Sequence, residues 1–260
     1  MTVREALAEA ERRLAAAGVD TPRVDAEWLA AHVVGATRSG LVARLDDEVG
    51  DAFEPLLARR ERREPLAYVL GEWGFRRLTL RTDARALVPR PETETLVERA
   101  LALVAEIESP RILDVGVGSG AIALALKDER PDALVVGVDV SRDALALARE
   151  NAERLGLDVE LREGGVEAAA EGWDLVAANP PYVASLDGLQ PELSWEPVQA
   201  LVGDGMHERI AAAAAARFVV FEVGDGQAGQ VAAMLAANGY GTVSISRDLG
   251  GRERVVEASR

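Results

Sequence analysis

The spacing of apolar residues changes along the chain and separates regions of different structure. Up to about residue 70 they recur every three or four positions, as Leu7 and Leu14 illustrate, which is the period of an amphipathic helix. Thr2 and Glu5 have the spacing of a capping box at the start of the first such helix. Residues 1–72 are therefore predicted to form a small helical bundle, either purely structural or used to bind a macromolecular substrate.

A second helix is predicted to begin at Thr21-Pro22, where a proline at the first helical position loses no hydrogen bond, and to end near Gly35. Trp28, Leu29 and Val33 would form its apolar side.

Beyond the bundle, residues 73–88 alternate apolar with polar side chains around a Thr-Asp turn, which predicts a hairpin linker. From residue 89 the pattern is that of helices alternating with strands, starting with an amphipathic helix whose apolar side reaches Ile107. Further helices are predicted near 121–127, 142–155 and 227–238. Strands are predicted near 111–115, 133–139, 158–162, 174–178, 217–223, 241–246 and 253–257. This alternation indicates an α/β fold with a doubly wound, mostly parallel, Rossmann-like sheet over residues 89–260.

Composition narrows the possible functions. The 260 residues contain no cysteine and only His32 and His207 as imidazoles, so we predict no metal site. No signal peptide or membrane-spanning apolar run is visible, which indicates a cytoplasmic protein without a membrane partner. Twenty-nine Lys and Arg face 44 Asp and Glu, a net charge of -15, and this acidity argues against direct nucleic-acid binding. The one dense basic run, residues 59–63, is expected to be a solvated helix end.

A glycine loop follows the first strand of the predicted sheet, in the sequence Asp114-Val115-Gly116-Val117-Gly118-Ser119-Gly120. Glycines allow a ligand to approach the backbone, and Asp139 at the end of the next strand is placed to bind ribose hydroxyls. The same spacing satisfies a loose dinucleotide fingerprint, so an NAD enzyme is an alternative. Asp114 favours S-adenosylmethionine instead, because a carboxylate repels a pyrophosphate and attracts the ammonium group of an amino-acid moiety.

The sequence Asn179-Pro180-Pro181-Tyr182 follows the fourth predicted strand. Two prolines lack N–H groups and fix their own φ, so the chain must leave the sheet in a rigid turn. Asn179, the backbone carbonyls and the aromatic ring then form a cradle for a planar group that carries an NH2. We call residues 179–182 the acceptor turn, and together with the glycine loop they predict methyl transfer to an amide or exocyclic amine.

The chain resembles the PrmC/HemK family of protein-glutamine methyltransferases over most of its length. The resemblance rests on the glycine loop, Asp139, the acceptor turn and several further segments. These are Arg63-Glu64-Pro65 with Gly71, residues 87–94 (Leu-Val-Pro-Arg-Pro-Glu-Thr-Glu), Glu196-Pro197 with Ala200-Leu201, Glu222-x-Gly224, and Asp248-Leu249 with residues 254–256. The family modifies the glutamine of the Gly-Gly-Gln motif in class I peptide chain release factors. The resemblance implies this reaction, with residues 116–120 and Asp139 holding the donor and the acceptor turn holding the glutamine.

Three departures from the family pattern stand out. Val117 replaces the usual Thr near the methionine end of the donor, and Gly164-Gly165-Val166 replaces an acidic residue and an aromatic near adenine. Adenine recognition would then rest on backbone groups and on Val166. Residues 205–218 are shorter than usual.

The proposed chemistry needs positioning more than a base. Asn179 and the carbonyl of Pro180 would each accept an acceptor N–H, and Tyr182 would pack on the amide plane. The alternatives are a ribosomal-protein glutamine methyltransferase, an adenine-N6 or guanine-N2 nucleic-acid methyltransferase, and an inactive binding module.

Overall fold

A computed structural model describes residues 1–183, 185, 188–203 and 205–260 of the chain. These residues form two compact units. The first combines Met1–Glu72 with Leu189–Trp195, and the second combines Trp73–Gly188 with Glu196–Arg260. The domain boundary predicted from the sequence, at residue 72, left Leu189–Trp195 out of the helical unit. We call Leu189–Trp195 the anchoring segment.

The first unit is helical. The capping box is present at Thr2, whose hydroxyl accepts from Glu5 N while the Glu5 side chain accepts from Thr2 N. The second helix starts at Pro22, and Gly35 ends it in a left-handed conformation with φ of 64°. The helices of this unit are α1 (Val3–Ala16), α2 (Pro22–Val34), α3 (Phe53–Glu61) and α4 (Leu66–Leu70), with a short 3-10 helix at Ser39–Arg44.

Two expectations for this unit were wrong. Trp28 is 38% exposed and does not belong to the buried side of α2, where the predicted Leu29 packs together with the small residues Ala26 and Ala30. Arg60 is only 5% exposed, so the basic run is not simply a solvated helix end. Alanine allows helices to approach closely, and a guanidinium can be buried where carboxylates surround it.

The buried Arg60 connects helices to the anchoring segment within the first unit. Its guanidinium donates to Asp25 at 2.7 Å and to Glu192 at 2.8 Å. Glu192 also receives two hydrogen bonds of 2.7 Å from Arg63. A buried charge needs such partners to offset its loss of hydration, so these ion pairs fix where the anchoring segment lies.

The second unit starts with the hairpin and continues as α/β. The hairpin strands are β1 (Glu72–Phe75) and β2 (Leu78–Arg81). The remaining strands are β3 (Arg111–Val115), β4 (Leu134–Asp139), β5 (Glu160–Glu163), β6 (Trp173–Ala178), β7 (Ala216–Glu222), β8 (Thr242–Arg247) and β9 (Glu253–Ser259). The helices are α5 (Thr93–Leu103), α6 (Ala121–Glu129), α7 (Arg142–Leu155), α8 (Val198–Leu201), α9 (Met206–Ala213) and α10 (Ala228–Ala237), with a 3-10 helix at Val166–Glu171. A further 3-10 helix, Pro191–Trp195, lies in the anchoring segment of the first unit. Helix α5 ends before Ile107, although Ile107 still packs against the core.

Among the described residues, seven strands form one sheet in the order β5-β4-β3-β6-β7-β9-β8. The pairs from β5 to β7 are parallel, and β9 runs antiparallel to both β7 and β8. The chain moves outward from β3 to β5 and then crosses to β6 on the other side of β3. This reversal creates a switch point between β3 and β6, and it confirms the predicted Rossmann-like fold.

Both faces of the sheet are covered. One apolar cluster contains Leu80 of the hairpin with side chains from α5, α6 and α7. The other contains Ile210 of α9 and Leu235 of α10. Burial on both faces explains why the central strands read as continuous apolar runs. No helix in the described part of the chain is long and apolar enough to cross a membrane.

Replacing Arg60 tests the ion pairs of the first unit. Arg60→Met should lower the opening free energy of α2 and α3 by about 2–4 kcal/mol, because Asp25 stays buried without its cation. Amide hydrogen exchange in these helices is the measurement. Arg12→Met is the matched control: Arg12 pairs with Glu9, but its side chain is 69% exposed, so exchange should change by less than about 1 kcal/mol. Equal effects of the two variants would contradict the assigned role of Arg60.

Candidate active site

A cavity of about 780 Å³ lies at the carboxyl ends of the parallel strands of the second unit. Its walls come from residues 85–90, residues 115–119 of the glycine loop, residues 139–141 and 163–167, and residues 179–181 of the acceptor turn. A further part of the wall is formed by Pro197, Gln199, Ala200, Val202, Gly203, Met206, Arg209 and Ile210. The register explains why the loop and the turn meet, since Val115 of β3 pairs with Ala178 of β6. Gly116 and Asn179 each follow one member of this pair, so both leave the sheet at the same edge.

The glycine loop is held tightly against the end of β4. The N–H groups of Gly116 and Val117 donate to Val138 O at 2.8 and 2.9 Å. Gly116 has φ of 80°, a conformation that glycine adopts without strain. A Cβ at Gly116 would meet no atom within 4 Å, so the space beside the loop is open to a ligand.

Val117 packs in the core and also lines the cavity. It is 4% exposed, and a Cβ built at Gly137 would lie 2.6 Å from its side chain. Gly137 is therefore needed for the close approach of β4 to the loop. The valine that departs from the family pattern contributes packing at a position where a threonine would offer a hydroxyl.

Asp139 lies in the cavity wall and is fixed by backbone donors. Its Oδ2 accepts from Gly118 N at 3.0 Å, and its Oδ1 accepts from Ser141 N at 2.8 Å. Each carboxylate oxygen keeps a second lone pair for a further donor. The side chain therefore both shapes the glycine loop and presents acceptors to the cavity, as a residue binding ribose hydroxyls requires.

Asp114 occupies a different position from the rest of the predicted donor site. It is completely buried in β3 and lies outside the cavity lining. Its Oδ2 accepts from Ala123 N in the first turn of α6 at 3.1 Å, and Oδ1 has no hydrogen-bond partner among the described residues. Burial raises the pKa of Asp114 to about 7. Among the described residues, the Asp114 side chain is therefore hydrogen-bonded to the start of α6, the helix that follows the glycine loop.

Of the other predicted donor residues, Gly118, Ser119 and Val166 line the cavity, whereas Gly120 does not. Gly120 is the N-cap of α6 with φ of 90°. Val166 starts a 3-10 helix and lies next to Gly165, whose N–H donates to Glu167 Oε1 at 2.7 Å. Because Gly164 and Gly165 have no side chains, the apolar side chain of this part of the wall is that of Val166. The carboxylate of Glu167 lies nearby.

The acceptor turn divides between the cavity and the protein interior. Asn179, Pro180 and Pro181 line the cavity, but Tyr182 does not. The Tyr182 hydroxyl donates to Glu222 Oε1 at 3.4 Å, and burial is the main cause that raises its pKa to about 12. Tyr182 borders a second, smaller cavity of about 390 Å³, which Pro181 also lines.

Three buried polar residues around the site were not foreseen as functional. Glu196 is 3% exposed, accepts from Val88 N at 3.0 Å and forms an ion pair with Arg90, joining two walls of the cavity. Thr93, which also lines the cavity, accepts from Asn179 and donates to Glu222. Burial raises the pKa of Glu222 to about 7. The segments containing all three were part of the resemblance, but only their burial and contacts reveal what they touch.

The cavity fits a ligand with a nucleoside and an amino-acid end. Open space beside Gly116, the acceptors of Asp139 and the apolar wall at Val166 suit an adenosyl group. Among the described residues, no group of three or more His, Asp or Glu side chains is arranged to hold a metal ion.

Comparison with known proteins agrees with the fold and the cavity described above. Residues 5–71 match the family described as PrmC N-terminal domain, and residues 93–205 match the methyltransferase small domain. The release factor glutamine methyltransferase of Rhodospirillum rubrum is 44% identical over 95% of this chain and 82% of its own length. The protein of the same name from Deinococcus radiodurans is 42% identical over 100% of this chain and 99% of its own. Among solved structures, the hMettl16 catalytic domain in complex with MAT2A 3′UTR hairpin 1 has a TM-score of 0.58 at 15% identity, covering 84% of each chain, and shares the fold.

The sheet, its switch-point cavity and the matched methyltransferase domain define an enzyme that uses S-adenosylmethionine as methyl donor. Identity of 42–44% over nearly the whole chain makes the assignment more specific. The chain belongs to the release factor glutamine methyltransferase family, and the resemblance stated from the sequence is confirmed.

Removal of the Asp139 carboxylate should weaken donor binding. Asp139→Ala is expected to raise the Kd for S-adenosylmethionine roughly 10- to 100-fold, as loss of charge-assisted hydrogen bonds implies. Isothermal titration calorimetry measures this. Asp158→Ala, at an exposed position before β5, is the control and should leave the Kd unchanged. An unchanged Kd for Asp139→Ala would show that Asp139 does not hold the donor.

Proposed function

We propose that this chain transfers a methyl group from S-adenosylmethionine to the side-chain amide nitrogen (N5) of the glutamine in the Gly-Gly-Gln motif of class I peptide chain release factors. The observation that carries the proposal is the register of β3 with β6, which sets the acceptor turn beside the glycine loop in one cavity. The substrate follows the names of the relatives from Rhodospirillum rubrum and Deinococcus radiodurans, which match along nearly the whole chain. A cytoplasmic location belongs to the same proposal, since translation takes place there.

On the donor side, S-adenosylmethionine supplies a methyl group on a sulfonium sulfur, which is an electrophilic carbon with a good leaving group. Residues 116–119 of the glycine loop border its amino-acid end, and Asp139 binds its ribose. Val166 packs against adenine. Asp114 is assigned to the same site through the helix start that it holds below the loop.

On the acceptor side, Asn179 and Pro180 position the glutamine amide. The lone pair of an amide nitrogen is delocalised into its carbonyl, so the nitrogen is a weak nucleophile. Asn179 Oδ1 and Pro180 O each accept one N–H, which fixes the nitrogen and directs its lone pair toward the methyl carbon. The N–C bond would form as the bond between the methyl carbon and the sulfonium sulfur breaks, with S-adenosylhomocysteine leaving with that electron pair. The nitrogen would then lose a proton to water, so the site needs no strong base.

Pro181 and Tyr182 have supporting roles in this proposal. Pro181 keeps the turn rigid, because its fixed φ limits the conformations of the backbone between Pro180 O and the aromatic residue. Tyr182, which borders the second cavity and does not line the first, packs along the amide plane of the substrate from that side and excludes water. Its hydroxyl is held by Glu222, which fixes the orientation of the ring.

The rival functions fit the chain less well. A nucleic-acid methyltransferase would need an extruded base and basic groups along the phosphate backbone, whereas this chain carries a net charge of -15. A ribosomal-protein glutamine methyltransferase would use the same acceptor turn and differs only in its substrate. An inactive binding module has no need for an acceptor turn beside a donor cavity.

The substrate is tested by incubating the protein with S-adenosylmethionine labelled in its methyl group. Separate reactions contain a class I release factor, the same factor with its Gly-Gly-Gln glutamine replaced by alanine, ribosomal proteins, and DNA or RNA. Label in the unaltered release factor alone is expected, with mass spectrometry placing one methyl group on the glutamine side chain. Label in ribosomal protein or nucleic acid alone would overturn the proposed substrate.

Replacement of Asn179 tests the acceptor turn. Asn179→Ala should lower kcat at least about 100-fold while changing the donor Kd by less than about threefold, because the lost contact positions only the acceptor. Asn238→Ala is the control, since Asn238 follows α10 and its side chain contacts only Met234 O in the hydrogen bonds described. Turnover retained by Asn179→Ala would rule out the assigned role.

A further inference from the structure

A row of polar side chains connects the acceptor turn to the buried residues Thr93 and Glu222. Asn179 Nδ2 donates to Thr93 Oγ1 at 3.3 Å, and Thr93 Oγ1 donates to Glu222 Oε2 at 2.5 Å. The Tyr182 hydroxyl donates to Glu222 Oε1 at 3.4 Å. Thr93 and Glu222 are 4% and 1% exposed, so water has little access to replace these contacts. The row therefore joins both polar side chains of the acceptor turn to a single carboxylate.

We propose that Thr93 and Glu222 are positioning residues for methyl transfer, which hold the Asn179 amide in the orientation that leaves Oδ1 for the substrate. The inference rests on the proposed function, because it assigns a task to Asn179 Oδ1.

The direction of the hydrogen bonds supports this inference. Burial raises the pKa of Glu222 to about 7, so at pH 8 its carboxyl group is ionised. An ionised carboxylate only accepts hydrogen bonds, so Glu222 then takes the single hydroxyl hydrogen of Thr93. The oxygen of Thr93 can then act only as an acceptor toward Asn179. Of the two ends of the amide, only the NH2 group can donate, so NH2 must lie against Thr93 and Oδ1 must lie on the other side.

The reversed amide would be disfavoured. It would place Asn179 Oδ1 against the Thr93 oxygen with no hydrogen between them. A buried acceptor without a donor costs about 1–3 kcal/mol, which corresponds to roughly 5- to 150-fold in population. The reversed amide would also present a donor to the substrate N–H. Thr93 and Glu222 thus lower the population of the reversed amide, in which Asn179 cannot accept the substrate N–H.

The fold brings these residues together from three separate elements. Asn179 follows β6, and Glu222 ends the neighbouring strand β7, where Ala178 pairs with Phe221. Thr93 is the first residue of α5. Two strand ends and one helix start therefore fix the positions of Asn179, Glu222 and Thr93.

The test compares two substitutions of Thr93 at pH 8. Thr93→Val keeps the shape and removes the hydroxyl, whereas Thr93→Ser keeps the hydroxyl. We expect Thr93→Val to lower kcat about 10- to 100-fold, with the donor Kd and the KM for release factor within about threefold, because remote contacts of a large substrate set KM. Thr93→Ser should retain kcat within about threefold.

Glu222→Gln is the second variant, because its amide can donate to Thr93 and so release the Thr93 hydrogen toward Asn179. It should also lower kcat about 10- to 100-fold without a matching change in the donor Kd. Equal kcat values for Thr93→Val, Glu222→Gln and the unaltered enzyme would overturn the proposal.

A double-mutant cycle separates positioning from simple stabilisation. In an Asn179→Ala background, Thr93→Val should cause little further loss of kcat, because the side chain that it orients is gone. Full additivity of the two losses would overturn the proposal and indicate a general structural effect. Failure of the unaltered enzyme to methylate release factor would instead refute the proposed function, so the two failures are distinguishable.

Discussion

The parallel pairing of β3 with β6 is the constraint on which the rest of the site depends. A pair of parallel strands ends at one edge, and the register of Val115 with Ala178 places the first residues beyond both strands side by side. The glycine loop leaves toward α6, while the two prolines direct the acceptor turn away from the sheet. A shift of one residue in this register would reverse the faces of β6 and separate the donor from the acceptor. The apolar residues on both faces of β6 fix this register, and they therefore also fix the distance between the glycine loop and the acceptor turn.

A second physical pattern recurs under each half of the site. A buried carboxyl at or near a strand end contacts the start of a helix: Asp114 accepts from Ala123 N in α6, and Glu222 accepts from Thr93 in α5. Helix N-termini stabilise negative charge, which offsets part of the cost of burial. The desolvation caused by burial is the larger effect, and it raises the pKa of Asp114 and the pKa of Glu222 to about 7. Structures seldom retain such groups for stability alone, so their position behind the two reactive segments is consistent with a positioning role.

The sequence was informative where local chemistry determines structure. Periodicity placed the strands and helices of the sheet, and capping chemistry placed the starts of α1 and α2. It did not reveal that Arg60 is buried, because its partner Glu192 is far away along the chain. For the same reason the Thr93–Glu222 contact was invisible, since 129 positions separate the two residues. Long-range polar contacts have no periodic signature, so only the folded chain shows them.

The acceptor turn by itself does not determine the substrate. In the proposed arrangement, Asn179 and Pro180 would hold any planar group with two N–H bonds, so a glutamine amide and an adenine amine would fit the same acceptors. Discrimination must therefore come from contacts beyond the reacting nitrogen, where binding energy is used to place the correct group. A net charge of -15 disfavours a phosphate backbone in such contacts. A folded protein that presents a glutamine in a backbone of small residues satisfies both conditions, because its remaining surface can supply the affinity that the narrow acceptor turn cannot.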